Sequence, residues 1–149
     1  MSSRAPATRR TRVEELRVRE LMTPDPVSVR HGIAVRDAAV FLEERGIGAA
    51  PVVNDAGRAI GVLSRSDVLL AVTAGVDAAP VREVMTSSVI AVRPDDTALD
   101  AADAMARYMV RRAFVVDDDG TPVGVVSTTD LLRALKTVWG ESTPGRQAS

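Results

Sequence analysis

Cysteine is absent from this chain, which excludes disulfides, a thiol nucleophile and a thiolate metal site. A single histidine, His31, rules out multi-histidine metal clusters and leaves little room for a histidine-based triad. No apolar run approaches the roughly 20 residues of a membrane span, and "MSSRAPATRRTR" lacks the apolar core of a signal peptide. A cytoplasmic protein without membrane contact is expected. Charge of one sign is also missing: the formal net charge is −1, which gives no reason to expect nucleic acid as a partner.

What is present is a soluble globular composition, 46% apolar over 149 residues, enough for one compact domain or two small ones packed together. Arg4, Arg9, Arg10 and Arg12 lie in a polar segment, so residues 1–17 read as a flexible basic arm. The C-terminal "GESTPGRQAS" is turn-rich, and residues 136–149 read as a frayed tail.

The organisation is that of an internal repeat. Residues 18–72 align with 81–135 at a constant shift and without a gap, and 21 of the 55 paired positions are identical. "VRELMT" matches "VREVMT", "APVVNDAG" answers "AFVVDDDG", and "GVLSRSD" answers "GVVSTTD". Residues 73–80, "TAGVDAAP", form the linker, with Gly and Pro as its breaks.

Each copy opens on a short helical turn and an extended piece, then an amphipathic helix. Val35, Ala38, Ala39 and Leu42 share its apolar face in the first copy, with Gly46 as the stop. In the second copy Asp95 and Asp96 are the start signals, and Leu99, Ala102, Met105, Ala106 and Met109 form the stripe. Two apolar strands joined by "NDAG" or "DDDG" follow, then a closing helix. The expected fold is α/β of the α+β kind, two β-α-β-β-α units packed as a pseudo-two-fold pair. Each three-stranded sheet is too small to cover its own apolar face, hence the pairing.

Asp117, Asp118 and Asp119 invite a calcium reading, but the distal Glu of such a loop is missing, so they read as a solvated turn. His31 reads as an exposed loop residue.

The repeated G-h-h-S-x-x-D stretch ends a strand and starts a helix, where unpaired N–H groups can hold an anion. Ser64 and Ser127 add a hydroxyl there, Asp67 and Asp130 can accept from both hydroxyls of a vicinal diol, and Gly61 and Gly124 permit close approach. Phosphate and diol recognition side by side suggest a nucleotide. The same spacing is also a helix cap, with Ser66 or Thr129 as the capping residue.

The two "LMTPDPVSV…GVLSRSD" and "VMTSSVIAV…GVVSTTD" runs, covering 18–135, resemble a pair of CBS domains. That resemblance implies a disc with two clefts between the repeats, binding AMP, ADP, ATP or S-adenosylmethionine, and a homodimer formed through the helices. In one cleft it implies Ser127 on phosphate and Asp130 on ribose, with Arg112 as the basic partner. Thr23, Val27, Ser28, Ile47, Gly48 and Val125 would line the same cleft. The other cleft would use Ser64, Asp67, Val62 and Thr86, with Ile90, Ala91, Val110 and Arg111. Arg112 corresponds to Ala49, so the Asp130 cleft is expected to bind more tightly, unless Arg111 or Arg65 substitutes in the other.

The function expected is a stand-alone, non-enzymatic module that senses an adenine nucleotide or S-adenosylmethionine and modulates an unknown effector protein or its own assembly. No cofactor beyond that ligand is implied. The alternative is a ligand-independent dimerisation or scaffold protein whose Ser-x-x-Asp runs are only caps.

Overall fold

In a computed structural model the chain is described at residues 12–87 and 90–142. Most of the expected basic arm, and the end of the tail, therefore lie outside the described residues. Helix α1 is Val18–Leu21, followed by strand β1, Thr23–Pro24. The first repeat then runs β2 (Val29–Arg30), α2 (Val35–Arg45), β3 (Ala49–Val53), β4 (Ala59–Ser64) and α3 (Arg65–Thr73). After a 3₁₀ turn at Val81–Glu83, the second runs β5 (Ala91–Val92), α4 (Ala98–Tyr108), β6 (Arg112–Val116), β7 (Pro122–Ser127) and α5 (Thr128–Ser142). The β-α-β-β-α order holds in both copies, with the first two strands parallel and the last two antiparallel.

Local chemistry explains the boundaries. Gly46 ends α2 in the left-handed region at φ 65°, its N–H donating to the carbonyls of Glu43 and Leu42. Met109 occupies the equivalent position at φ 55° without glycine's freedom, and is 90% exposed. Each hairpin turn is held by one side chain: Asn54 Oδ1 accepts from the N–H groups of Ala56 and Arg58, and Asp117 Oδ1 from those of Asp119 and Thr121. Asp117 is thus spent on its own backbone, and no metal-holding acidic cluster occurs among the described residues.

Several expectations need correction. The second amphipathic helix starts at Ala98, capped by Thr97 rather than by Asp95 or Asp96, and its buried face is Ala98, Ala101 and Met105. Leu99 and Met109 point outward instead: the buried stripe runs Ala98, Ala101 and Met105, beside the expected one, and Met109 lies past the end of the helix. Residues 136–142 are no tail but the last two turns of α5. His31 is half-buried and contacts Asp55 at 3.3 Å. Residues 12–17 belong to the fold as well: Leu16 packs against the second repeat's core.

The largest difference lies in what each core contains. Val18 heads the first repeat in sequence, yet it is fully buried among Val92, Ala101, Met105, Ala113, Val115 and Val126 of the second. Val81 of the second repeat is buried among Val29, Ala38, Leu42, Ala50, Val52 and Leu63 of the first. The hydrogen bonds repeat this exchange. Val18 N–H donates to the Asp96 carbonyl and Val81 N–H to that of Ile33, both at 2.8 Å. Strand β1 makes a fourth strand on the second sheet, with Thr23 opposite Val125. Thr86 pairs with Val62 on the first sheet in the same way. The sheets are therefore not self-contained three-stranded units: each repeat is closed by the other's leading segment.

The motif glycines follow from that crossing. A Cβ on Gly61 would lie 2.9 Å from the Thr86 carbonyl oxygen and against Met85 Sδ, and one on Gly124 would meet Met22 and the Thr23 carbonyl. Close approach is needed here by the partner repeat's backbone. Gly61→Ala is expected to cost about 1–3 kcal/mol by overpacking. Each kcal/mol lowers the melting temperature by roughly 2–4 °C for a chain of this size. An unchanged melting curve would show that the crossing is loose.

Candidate functional site

The Ser-x-x-Asp runs are helix caps in both copies, but by Ser64 and Ser127 rather than Ser66 and Thr129. Helix α3 starts directly after Ser64, so Asp67 falls at the third helical position. Ser64 Oγ accepts from Asp67 N–H at 3.1 Å, and Asp67 Oδ2 accepts from Ser64 N–H at 3.0 Å. Ser127 and Asp130 do the same, at 3.1 and 2.9 Å. Capping occupies one carboxylate oxygen and leaves the other facing out. Asp67 Oδ1 accepts from Thr86 Oγ1 at 3.3 Å, whereas Asp130 Oδ1 lies 3.7 Å from Arg133 Nη1. One aspartate is thus held by a neutral hydroxyl across the repeats, the other by a cation on its own helix.

A cavity of about 490 Å³ lies where the second repeat's leading segment crosses the first repeat's β4–α3 junction. Ser64, Asp67, Val62, Thr86, Ile90, Val110 and Arg111 line it, seven of the eight residues expected there. Ala91, exposed on the short strand β5, does not. Ser66, Met109 and Phe114 join them, and so does Arg112. The expectation that this cleft lacks the Arg112 guanidinium is therefore corrected. Arg65 is no substitute: it borders an apolar groove between α2 and α3 with Leu42, Val68 and Leu69.

The cavity on the other side holds about 310 Å³ and is lined by Thr23, Val27, Ile47, Gly48, Arg112 and Val125. Pro24, Asp25, Pro26, Ala49 and Pro51 complete it. Ser28, Ser127 and Asp130 are not in its wall. Asp130 instead faces a separate space of about 370 Å³ with Leu16, Glu20, Leu21 and Arg133. The α1–β1 segment divides the two, giving Leu21 to one and Thr23 to the other. The residues named for the second cleft, Ala91 apart, are thus brought together around one cavity, and those named for the first lie around two.

The residues missed from the sequence follow the strand period. Ala49 and Pro51 are two apart on β3, as are Arg112 and Phe114 on β6, so each pair shares one face. Cross-strand register puts Arg112 opposite Ser127 and Ala49 opposite Ser64. Chemically, the 490 Å³ cleft gathers three hydroxyls, a carboxylate and two guanidinium groups around an apolar wall. Its charged lining is net positive, whereas Arg112 and Asp25 balance in the smaller cleft. Such a site can hold a phosphate, a diol and a flat apolar group together.

The family model of the CBS domain matches residues 18–74 and again 81–137. The chain is 34% identical over 116 residues to the CBS domain-containing protein YhcV of Bacillus subtilis (strain 168), covering 76% of this chain and 81% of YhcV. It spans only 15%, 44% and 30% of three longer curated relatives. Among solved structures, it is similar to the cytosolic domain of the Mg2+ channel MgtE in complex with ATP, at 35% identity and a TM-score of 0.73. That match covers 82% of this chain and 50% of the other. CBSX2 in complex with AMP matches at 28% identity and TM-score 0.71, covering 83% and 98%. The CBS domain pair of MJ0100, in complex with 5'-methylthioadenosine and S-adenosyl-L-methionine, matches at 26% and 0.72, covering 81% and 96%.

Proposed function

Because the chain belongs to the CBS domain family, with two copies in one polypeptide, we propose that it is a regulatory module binding an adenine nucleotide or S-adenosylmethionine between its repeats. The observation that carries this reading is the 490 Å³ cleft, where Ser64, Asp67, Thr86, Arg111 and Arg112 meet although they come from both copies. Asp67 Oδ1 takes the ribose hydroxyls in place of Thr86, and the arginines take the phosphate. We assign the stronger site to this cleft rather than to the Asp130 side, whose parts are divided. The AMP, ATP and S-adenosylmethionine complexes of similar domain pairs support the ligand class.

Ligand that touches both repeats biases their relative packing by its differential affinity for the two arrangements. The output is passed to an effector protein or to the module's own assembly. Exposed Leu69 and Leu70 on α3, with Leu132 and Trp139 on α5, support a homodimer through the helical faces. No helix among the described residues is long and apolar enough to cross a membrane. A cytoplasmic setting goes with the nucleotide reading. Turnover is not part of the proposal: the cleft's hydroxyls, carboxylate and arginines bind and orient, and the Thr86–Asp67 contact of 3.3 Å is read as holding the place of a ribose hydroxyl rather than as a nucleophile and its base.

A thermal-shift series with AMP, ADP, ATP and S-adenosylmethionine tests this. A ligand at 100 times its Kd stabilises the folded state by about 2.7 kcal/mol, so at least one should raise the melting temperature by several degrees. If none does, the scaffold reading holds and the serine–aspartate pairs are caps alone.

A further inference from the structure

The geometry points to a single guanidinium, that of Arg112, serving both clefts, so that phosphate bound in one weakens phosphate binding in the other. This rests on the nucleotide reading above. Two residues line both the 310 and the 490 Å³ cavities, Ala49 and Arg112, and they are the same position in the two repeats. Each opens a central strand opposite its motif serine, next to the pseudo-two-fold relation. The duplication therefore made two shared positions, and this chain fills one with arginine and the other with alanine.

Arg112 is exposed and forms no ion pair among the described residues. Its Nη2 rests 3.8 Å from where a Cβ of Gly48 would be, beside the smaller cleft, while its side chain also borders the larger one. Among the described residues no ion pair holds it on either side. A guanidinium presents one planar fork, which pairs bidentately with one phosphate at a time. Two phosphates drawn to it would divide its donors and repel each other. Of the two clefts Arg111 lines only the larger, so that cleft fills first and keeps the fork. The smaller cleft then meets phosphate with Asp25 nearby and no cation of its own. Linkage makes the antagonism reciprocal.

Calorimetric titration with ATP, and with adenosine as the phosphate-free control, tests the sharing. In the wild type the second ATP is expected to bind on the order of tenfold more weakly than ATP binds the smaller cleft in Asp67→Ala, where the larger cleft is weakened and no longer fills first. Ala49→Arg supplies a second guanidinium and should close that gap without disturbing the caps. Adenosine should show no such gap. If the weak step is unchanged in both variants, or a second ATP never appears even in Ala49→Arg, the shared-arginine inference is overturned while the nucleotide site stands. If ATP produces no binding heat in any variant, the nucleotide reading fails and the sharing fails with it.

Discussion

Val18→Asp is expected to remove about 3–5 kcal/mol of stability and to loosen the second repeat, although residue 18 belongs to the first in sequence. The side chain is fully buried among residues of the second repeat, and no polar or charged residue is buried among the described residues to receive a carboxylate. An uncompensated charge in such a place costs several kcal/mol. Chemical denaturation reads the loss. Amide exchange locates it: Ala113, Val115 and Val126 should open faster while Ala50, Val52 and Leu63 keep their protection. Val81→Asp should give the mirror result, since Val81 is buried among the second set. Faster exchange at Ala50 and Val52 in Val18→Asp would mean that the leading segments are not exchanged in solution.

Asp67→Ala is expected to weaken the tighter nucleotide step ten- to a hundredfold, the loss of a charge-assisted contact of about 1.5–3 kcal/mol. It also removes the carboxylate that accepts from Ser64 N–H, so roughly 1 kcal/mol of stability should go with it. Asp130→Ala loses an equivalent cap but should leave the tighter step nearly intact, because Asp130 faces Arg133 in a separate space. Cap loss is thus common to both variants and affinity loss belongs to one. Calorimetry beside thermal melting separates them. Equal affinity losses would place Asp130 in a nucleotide site after all.

The sequence made much of this legible because its signals are local. Hairpin turns, strand order and helix stops are written in Asn54, Asp117 and Gly46, whose chemistry acts within a few residues. Seven of the residues that the family resemblance implied for the cleft around Asp67 line one cavity. What the repeat alignment hid is who covers whom. A constant shift shows that Val18 and Val81 are equivalent, and an exchange between equivalent residues leaves that alignment unchanged. The same blindness concealed Arg112's double role: pairing it with Ala49 reads as a gain for one cleft and a loss for the other. Only a position beside the symmetry relation borders both. The buried face of α4 failed for a simpler reason: alanines stand on both neighbouring stripes, so the sequence marks Ala98 and Ala101 no more strongly than Ala102 and Ala106.

The exchanged leading segments also constrain how such a chain could have arisen. A half-length chain with one repeat would carry a Val-Arg-Glu head whose valine has no core of its own to enter, and a core with no head to close it. Two such halves satisfy each other at once, by swapping heads across a two-fold axis. The single-repeat forerunner of this protein would then have been an obligate dimer, and fusion made its concentration-dependent pairing intramolecular. Once fused, the halves no longer needed to be identical, and a single substitution beside the axis, alanine against arginine, could make two equal clefts unequal.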